Sequence, residues 1–471
     1  MKTIDKIYIN GAFVTPHGTE LFDLINPTTN ELLGKVVLGD EEDTRKAIAS
    51  AKAAFVHFSK TTKDERIAYL QKMYEAVAKR KDELTAIMVQ EYGGTLQFSR
   101  ASTQHALNGI QSTIETLTNF DFVRSVGKSK VRLESLGVVG IITPWNASNS
   151  FICNKLATAI AAGCTAVIKP SEMSALQTQV LLECLHEASL PAGVFNVMNG
   201  LGNVVGAEIT RHPDIAKISF TGSTVVGKTI ARGAVDTMKR VTLELGGKSP
   251  NIILDDADLQ KAIPTAVAAA FMNSGQACIA GTRLLVPENR LDEIKTLIKE
   301  TVEKVKVGDP KNEDTAVGPM VSKKQFARVQ QYIDLGVQEG AEILTGGSGQ
   351  PDGLEAGNFV KPTVFVNVNN NMRIAREEIF GPVLSIITYK NEEDAISIAN
   401  DTDYGLQAYV SSSDSARTNR VAARINAGRV LINGLNHDPM APFGGFKQSG
   451  IGREFGVYGL EAYVEAKAVI E

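Results

Sequence analysis

The sequence predicts an α/β protein built from two alternating blocks of short apolar strands and helices. Three observations carry that expectation. In the first block, VVGIIT, TAVIK, FNVMN, AKISF and RVTLEL read as buried strands. The stretches 151–162, LQTQVLLECLHEA, NVVGAEITRH and VVGKTIARGA between them read as helices. A second block begins near NIILDDAD and continues through TRLLV, VFVNV, VLSIITY and RVLIN. The chain has 471 residues, too many for one ordinary core, so two or three domains are expected. Apolar strands separated by helices mean parallel sheets covered on both faces. Such sheets bind ligands beyond the carboxyl ends of their strands, where loops run into helix N-termini.

Taken in order, the first 30 residues alternate short β-like runs with turns, in KIYINGAFV and LFDLINPTT. Helical periodicity then holds from about residue 41 to residue 118. FVRSVGKSKVRLESLG follows as a β-rich piece with polar alternation and little core of its own, so it needs a partner strand. No Pro/Gly/Ser-rich linker, low-complexity segment or internal repeat separates the blocks. The two units therefore share a tight interface, a common place for a cleft.

Composition narrows the class. Hydrophobic residues make up 43% of the chain and charged residues 22%, as in a globular protein. A net charge of −4 leaves no basic footprint for nucleic acid. No apolar run approaches the roughly 18 residues of a membrane span, and MKTIDKIYINGAF has no apolar signal region. The four cysteines show no CxxC spacing and the six histidines no HExxH pattern. The expectation is a reduced, cytoplasmic protein with no metal site, no nucleic-acid partner and no membrane partner.

Several strand ends carry residues able to do chemistry. TAVIKPSE places Lys169 and Glu172 after a buried strand, as a solvated turn or as a cation and a carboxylate for a nucleotide's ribose. In SFTGSTVVGK, Gly222 and Ser223 open a helix whose N-terminus suits a pyrophosphate, although this is not the GxGxxG fingerprint. VTLELGGKSP leads Glu244 straight into two glycines, which permit close backbone approach. TPWNASN sets Trp145 beside Asn146, an amide able to donate to a developing oxyanion or to hold a packed turn. FMNSGQACIAG surrounds Cys278 with residues too small to bury it, which suits close helix packing or an approach to the thiol.

The ordered set PWN, KPSE, FTGST, LELGGKSP, SGQAC, EEIFGPV and PFGGFKQSGIGRE resembles the NAD(P)-dependent aldehyde dehydrogenase superfamily, over essentially the whole chain. The resemblance implies a Rossmann-like NAD-binding domain over 1–118 and 137–246 and a second α/β catalytic domain over 247–447. It also implies a small β oligomerisation arm with a C-terminal segment over 119–136 and 448–471, and with them a homodimer or homotetramer. It assigns Cys278 as the nucleophile toward an aldehyde and Asn146, with the Cys278 backbone N–H, as oxyanion donors. Glu244 becomes the base that activates water to hydrolyse the thioester. Relatives that pass the acyl group to coenzyme A tend to lack a glutamate there, so the hydrolytic branch is favoured. By the same carry-over, Trp145, Lys169, Glu172, Gly222, Ser223, Glu378 and Phe380 bind the cofactor. Lys169 and Glu172 take the adenosine ribose, and Glu378 and Phe380 the nicotinamide ribose. Glu172 would repel a 2′-phosphate, which favours NAD over NADP.

The chain departs from many relatives on the aldehyde side. Ala147 and Ser148 stand where PWNFP is common, Asn154 where some relatives carry an aromatic, and Asn436, His437 and Asp438 in a loop that is often aromatic. With Phe151 and Ile279, these residues suggest a roomier, more polar tunnel for hydroxylated, amino or ring-bearing aldehydes. The rival is that they face solvent or a subunit contact. Cys153, Cys164 and Cys184 read as core residues, and His17, His57, His105, His186 and His212 as surface or structural ones. A cofactor-free thiol hydrolase would need a histidine beside Cys278 and leaves KPSE, GST and EEIFGPV unexplained. A non-catalytic relative would be expected to have lost Cys278, Glu244 or Asn146.

Overall fold

A run of apolar strands too short to bury themselves must stack side by side, and the first block does so in an eight-stranded sheet. The computed structural model describes residues 2–470. The strand order is Gly450–Ile451, Arg240–Glu244, Ile215–Thr221, Val138–Ile142, Thr165–Lys169, Phe195–Val197, Ile7–Ile9, Ala12–Val14. The five inner strands are parallel, and the flanking ones pair antiparallel. Their register aligns the carboxyl ends in one row: Lys169 opposite Ile142, Ile142 opposite Phe220, and Thr221 opposite Glu244. Each face has its own core. Leu70, Met73, Ile110 and Leu156 fill one, and Ile48, Ile209, Ile218 and Ile230 the other.

The helices begin where their caps dictate. Asp40 and Thr62 each close a capping box, at Glu41–Phe58 and Lys63–Lys79. Gly163, at φ 77°, ends Ser148–Ala162 in the left-handed conformation that a residue without Cβ adopts freely. The buried Glu91 carboxylate accepts from the N–H groups of Leu176 and Gln177 and so caps Ala175–Glu187.

The second block forms a seven-stranded sheet: Glu342–Thr345, Thr363–Val366, Val383–Tyr389, Arg283–Pro287, Pro250–Ile253, Gln407–Ser411, Arg429–Ile432. All but the first strand run parallel. Gln407–Ser411, between Pro250–Ile253 and the edge strand, was not legible in the sequence. A third element, Val464–Val469, Ser129–Ser135 and Val123–Val126, is an antiparallel ribbon with both outer strands open. Val123, Val126, Val469 and Ile470 are exposed on it. Among the described residues no helix is long and apolar enough to cross a membrane.

Candidate active site

The first sheet's strand ends, the second sheet's Cys278 loop and the EEIFGPV turn meet around a cavity of about 410 Å³. Trp145, Asn146, Phe151, Cys278, Glu378 and Phe380 line it, together with Gly222 and Ser223 at the start of the helix Thr224–Val235. The Ser223 side chain caps that helix by accepting from the Val226 N–H at 3.4 Å. Beside it, the hydroxyl of Thr221 is buried with no hydrogen-bond partner among the described residues, and Thr221 and Thr224 both line the cavity.

Asn146 is held on both sides. Its Nδ2 donates to the Gln276 carbonyl at 2.9 Å, and its own carbonyl accepts from Asn273 Nδ2 at 3.3 Å. The loop before Cys278 is bent by consecutive left-handed residues, Asn273 at φ 50°, Ser274 at φ 57° and Gly275 at φ 72°. For non-glycine residues this conformation persists only where surrounding contacts impose it. Here Ser274 Oγ accepts from the Gly318 N–H at 2.8 Å, and Asn273 Oδ1 from the Tyr92 hydroxyl at 2.8 Å. Cys278 is partly exposed, while Cys153, Cys164 and Cys184 are buried. Burial, then the carboxylates of Glu378 and Glu244, push the Cys278 thiol up to about 12.

Glu244 ends its strand almost fully buried, and neither carboxylate oxygen has a hydrogen-bond partner among the described residues. Burial first, and then the nearby Glu454 carboxylate, hold its pKa well above the usual range, while Lys155 and Arg453 oppose the shift. Glu454 itself is ion-paired to Lys155, whose Nζ also reaches Ser219 Oγ at 3.1 Å. Gly444 closes over Glu244.

The double glycine after Glu244 has a packing reason. A Cβ on Gly246 would stand 2.5 Å from Glu378 Oε2, and one on Gly247 would stand 2.4 Å from the Cys278 carbonyl oxygen. The absent side chains therefore let one turn touch both the carboxylate and the thiol-bearing loop. Glu378 Oε1 accepts from the Gly247 N–H at 3.1 Å, and burial raises this carboxyl to about 7. Arg328 and Gln325 hold the carbonyls of Glu378 and Phe380, each at 2.7 Å. The Phe380 ring meets Trp145 edge-on with centroids 5.5 Å apart.

The remaining predicted residues are not gathered at this cavity. Lys169 pairs with Glu172 at 3.1 Å, two strands beyond Thr221 in the same row of carboxyl ends. Ala147 forms the N-terminal boundary of its helix, and the Ile279 carbonyl accepts from the Tyr409 hydroxyl at 2.8 Å. Asn154 packs its amide against Gly109 of the helix Leu96–Thr118 and donates to Ser150 Oγ at 3.3 Å. Asn436 and His437 stand on an exposed loop, with His437 Nδ1 3.1 Å from Arg429 and its ring 5.5 Å from His105. Sequence reasoning missed Tyr92, Asn273, Gln276 and the Lys155–Glu454 pair. Asn273 and Gln276 lay inside the quoted FMNSGQACIAG and Glu454 inside GIGRE, whereas Tyr92 and Lys155 lay in no quoted motif. Among the described residues, no group of three or more His, Cys, Asp or Glu side chains could hold a metal ion.

Comparison with known proteins agrees with this geometry. The Aldehyde dehydrogenase family matches residues 13–469. The chain is similar to a Staphylococcus haemolyticus protein bearing that family's name, 44% identical over 470 residues, spanning 100% of this chain and 99% of that protein. It is similar in structure to a mutant aldehyde dehydrogenase C of Pseudomonas syringae solved with NAD+ and octanal. The TM-score is 0.97 and the identity 44%, over 99% of this chain and 96% of that one. Betaine aldehyde dehydrogenase of Staphylococcus aureus, solved with NAD+, matches at TM-score 0.96 and 35% identity, over 99% of this chain and 94% of that one. The chain belongs to the aldehyde dehydrogenase family, whose enzymes oxidise aldehydes with a nicotinamide cofactor.

Proposed function

We propose that this chain oxidises its aldehyde to the carboxylic acid through Cys278, Asn146 and Glu244, with NAD as the acceptor. The residues present suit that cofactor. Thr221 offers a buried hydroxyl without a partner among the described residues, the helix Thr224–Val235 presents its N-terminus, and Glu378 a carboxylate, all along one cavity. Bound NAD supplies the hydride acceptor. Residues 1–118 and 137–246 make the cofactor domain in this reading, 247–447 the catalytic domain, and 119–136 with 448–471 the arm and C-terminal segment. Lys169 and Glu172 take the adenosine ribose, where the carboxylate disfavours a 2′-phosphate, and so NADP.

The Cys278 sulfur attacks the aldehyde carbonyl as its thiol proton passes out through the cavity opening to solvent, and the oxygen that becomes negative is held by the Asn146 amide and the Cys278 backbone N–H. Loss of such a donor typically slows turnover by about 10²–10³-fold. Glu244, ionised, then takes a proton from the water that cleaves the Cys278 thioester, releasing the acid and the thiol. The observation that carries this reading is convergence. Cys278 and Asn146 come from two different sheets and line one cavity, while Glu244 stands buried at the strand end beside the glycines that contact the Cys278 loop.

The open ribbon and its exposed valines support assembly as a homodimer or homotetramer, and the lack of any bilayer-spanning helix among the described residues accords with a cytoplasmic place. A polar approach to the site rests on residue type alone, since Asn154 packs against Gly109 and Asn436 and His437 stand on an exposed loop outside the cavity.

The test is purified protein with NAD+ and a panel of aldehydes, without coenzyme A, beside Cys278→Ala and Glu244→Gln. Turnover lost in Cys278→Ala, with an acyl-enzyme accumulating in Glu244→Gln, is the expected result. Activity appearing only when coenzyme A is added would overturn the hydrolytic reading. A panel led by unbranched aliphatic aldehydes would overturn the polar approach.

A further inference from the structure

Tyr92 lies far in sequence from every residue discussed above as catalytic, and it ends the helix Lys81–Glu91 with its ring almost fully buried. Its hydroxyl nevertheless enters the catalytic loop. It donates to Asn273 Oδ1 at 2.8 Å and accepts from Gln276 Nε2 at 3.3 Å. We propose that Tyr92 is a positioning residue that sets the oxyanion donor Asn146 through the amide of Asn273. This rests on the role given to Asn146 above.

The argument is one of donors and acceptors. A carboxamide has an acceptor end and a donor end, and a buried one must face each the right way. Asn273 Nδ2 serves two carbonyls, those of Asn146 at 3.3 Å and Gln276 at 3.0 Å. That assignment holds only while Oδ1 faces a donor, and Tyr92 is that donor. The Gln276 amide takes up the phenol's lone pair, so the hydroxyl proton is directed to Asn273 alone. Gln276 is fixed in turn by its Nε2 on the Pro319 carbonyl at 3.3 Å and its Oε1 on the Val321 N–H at 3.0 Å. The Gln276 carbonyl then takes one N–H of Asn146, leaving the second for the substrate oxygen.

Without the phenol hydroxyl, Asn273 Oδ1 is a buried acceptor with no donor. A flipped Asn273 would then turn its oxygen onto two carbonyls. The left-handed backbone at Asn273 and Ser274 makes this loop sensitive to such a loss, because that conformation is maintained by its contacts. Tyr92 also packs its ring against Trp145, with centroids 5.6 Å apart, and a phenylalanine preserves that contact. The hydroxyl and the ring can therefore be tested separately.

The experiment is a double-mutant cycle of Tyr92→Phe and Asn146→Ala, read as the single-turnover rate of reduced nicotinamide formation, with NAD affinity measured in parallel. Expected is a fall of about 10- to 100-fold for Tyr92→Phe in the otherwise native enzyme, with NAD affinity unchanged. In the Asn146→Ala background the same substitution changes the rate less than about twofold, because the group it positions is gone. An unchanged rate in Tyr92→Phe overturns the proposal. So does an equal loss in both backgrounds, or a loss accounted for by weaker NAD binding. If Tyr92→Phe does not fold, Asn273→Leu is read in the same cycle with the same expectation. A fully active Asn146→Ala would instead overturn the oxyanion role itself, and with it the premise for Tyr92.

Discussion

Burial without a hydrogen-bond partner makes Glu244 a poor acid to ionise, and the neighbouring Glu454 adds to that cost. In the role of base proposed for it Glu244 must be ionised, so hydrolysis is expected to rise with pH as Glu244 deprotonates through its raised pKa. Glu454→Gln removes one negative charge and leaves Lys155 as an uncompensated cation, and both changes favour the Glu244 carboxylate. The acid limb of the kcat profile is therefore expected to move to lower pH in Glu454→Gln. An unmoved or raised limb would rule out electrostatic control by Glu454. Glu244 and Asn146 stood out in the sequence as polar residues at apolar strand ends, and Cys278 as a thiol among small neighbours. Tyr92 did not, because its meaning comes from Asn273, 181 positions away and brought near only by the fold.

At the scale of elements, the turn Gly246–Gly247 joins the cofactor-side sheet to the thiol. Gly247→Ala forces a methyl against the Cys278 carbonyl, and neither backbone can yield freely. Overpacking of this kind costs about 1–3 kcal/mol, so a lowered unfolding midpoint in denaturant is expected, together with a fall in kcat. Ser223→Ala removes the cap of the helix Thr224–Val235, worth about 1 kcal/mol, and should weaken NAD binding in a titration. The strands of both blocks could be read because alternation of apolar runs with helices leaves few other arrangements. Gln407–Ser411 escaped because QAYVS is brief, runs directly from a turn into serines, and begins with a polar residue that the fold buries.

At the scale of the molecule, the cavity proposed for NAD forms between the two large sheets, so a ligand there ties both to the folded state. NAD at 100 times its dissociation constant is expected to add about 2.7 kcal/mol of stability, visible as a raised melting temperature. NADP at equal concentration should raise it less, and an equal shift would count against the part given to Glu172. Light scattering on the eluting protein should give the mass of a dimer or tetramer, whereas a monomer would remove the role proposed for the ribbon. The parallel sheets and the ribbon's two strands within 119–136 were legible from patterning, whereas its third strand, Val464–Val469, was implied only by the family resemblance. The register that sets Lys169, Ile142 and Phe220 in one row, with Thr221 opposite Glu244 one residue on, was not legible, since it depends on how neighbouring strands align.

The distribution of thiols has a practical outcome. Three of the four cysteines are sealed in the core, and Cys278, although burial raises its pKa as it does theirs, alone among them has an opening to solvent. A folded preparation exposed briefly to a small alkylating reagent should therefore gain one adduct per chain, in step with the activity lost. Intact-mass spectrometry would then count competent sites without knowledge of the natural aldehyde, turning the protein's own packing into a calibration standard for every kinetic constant measured on it.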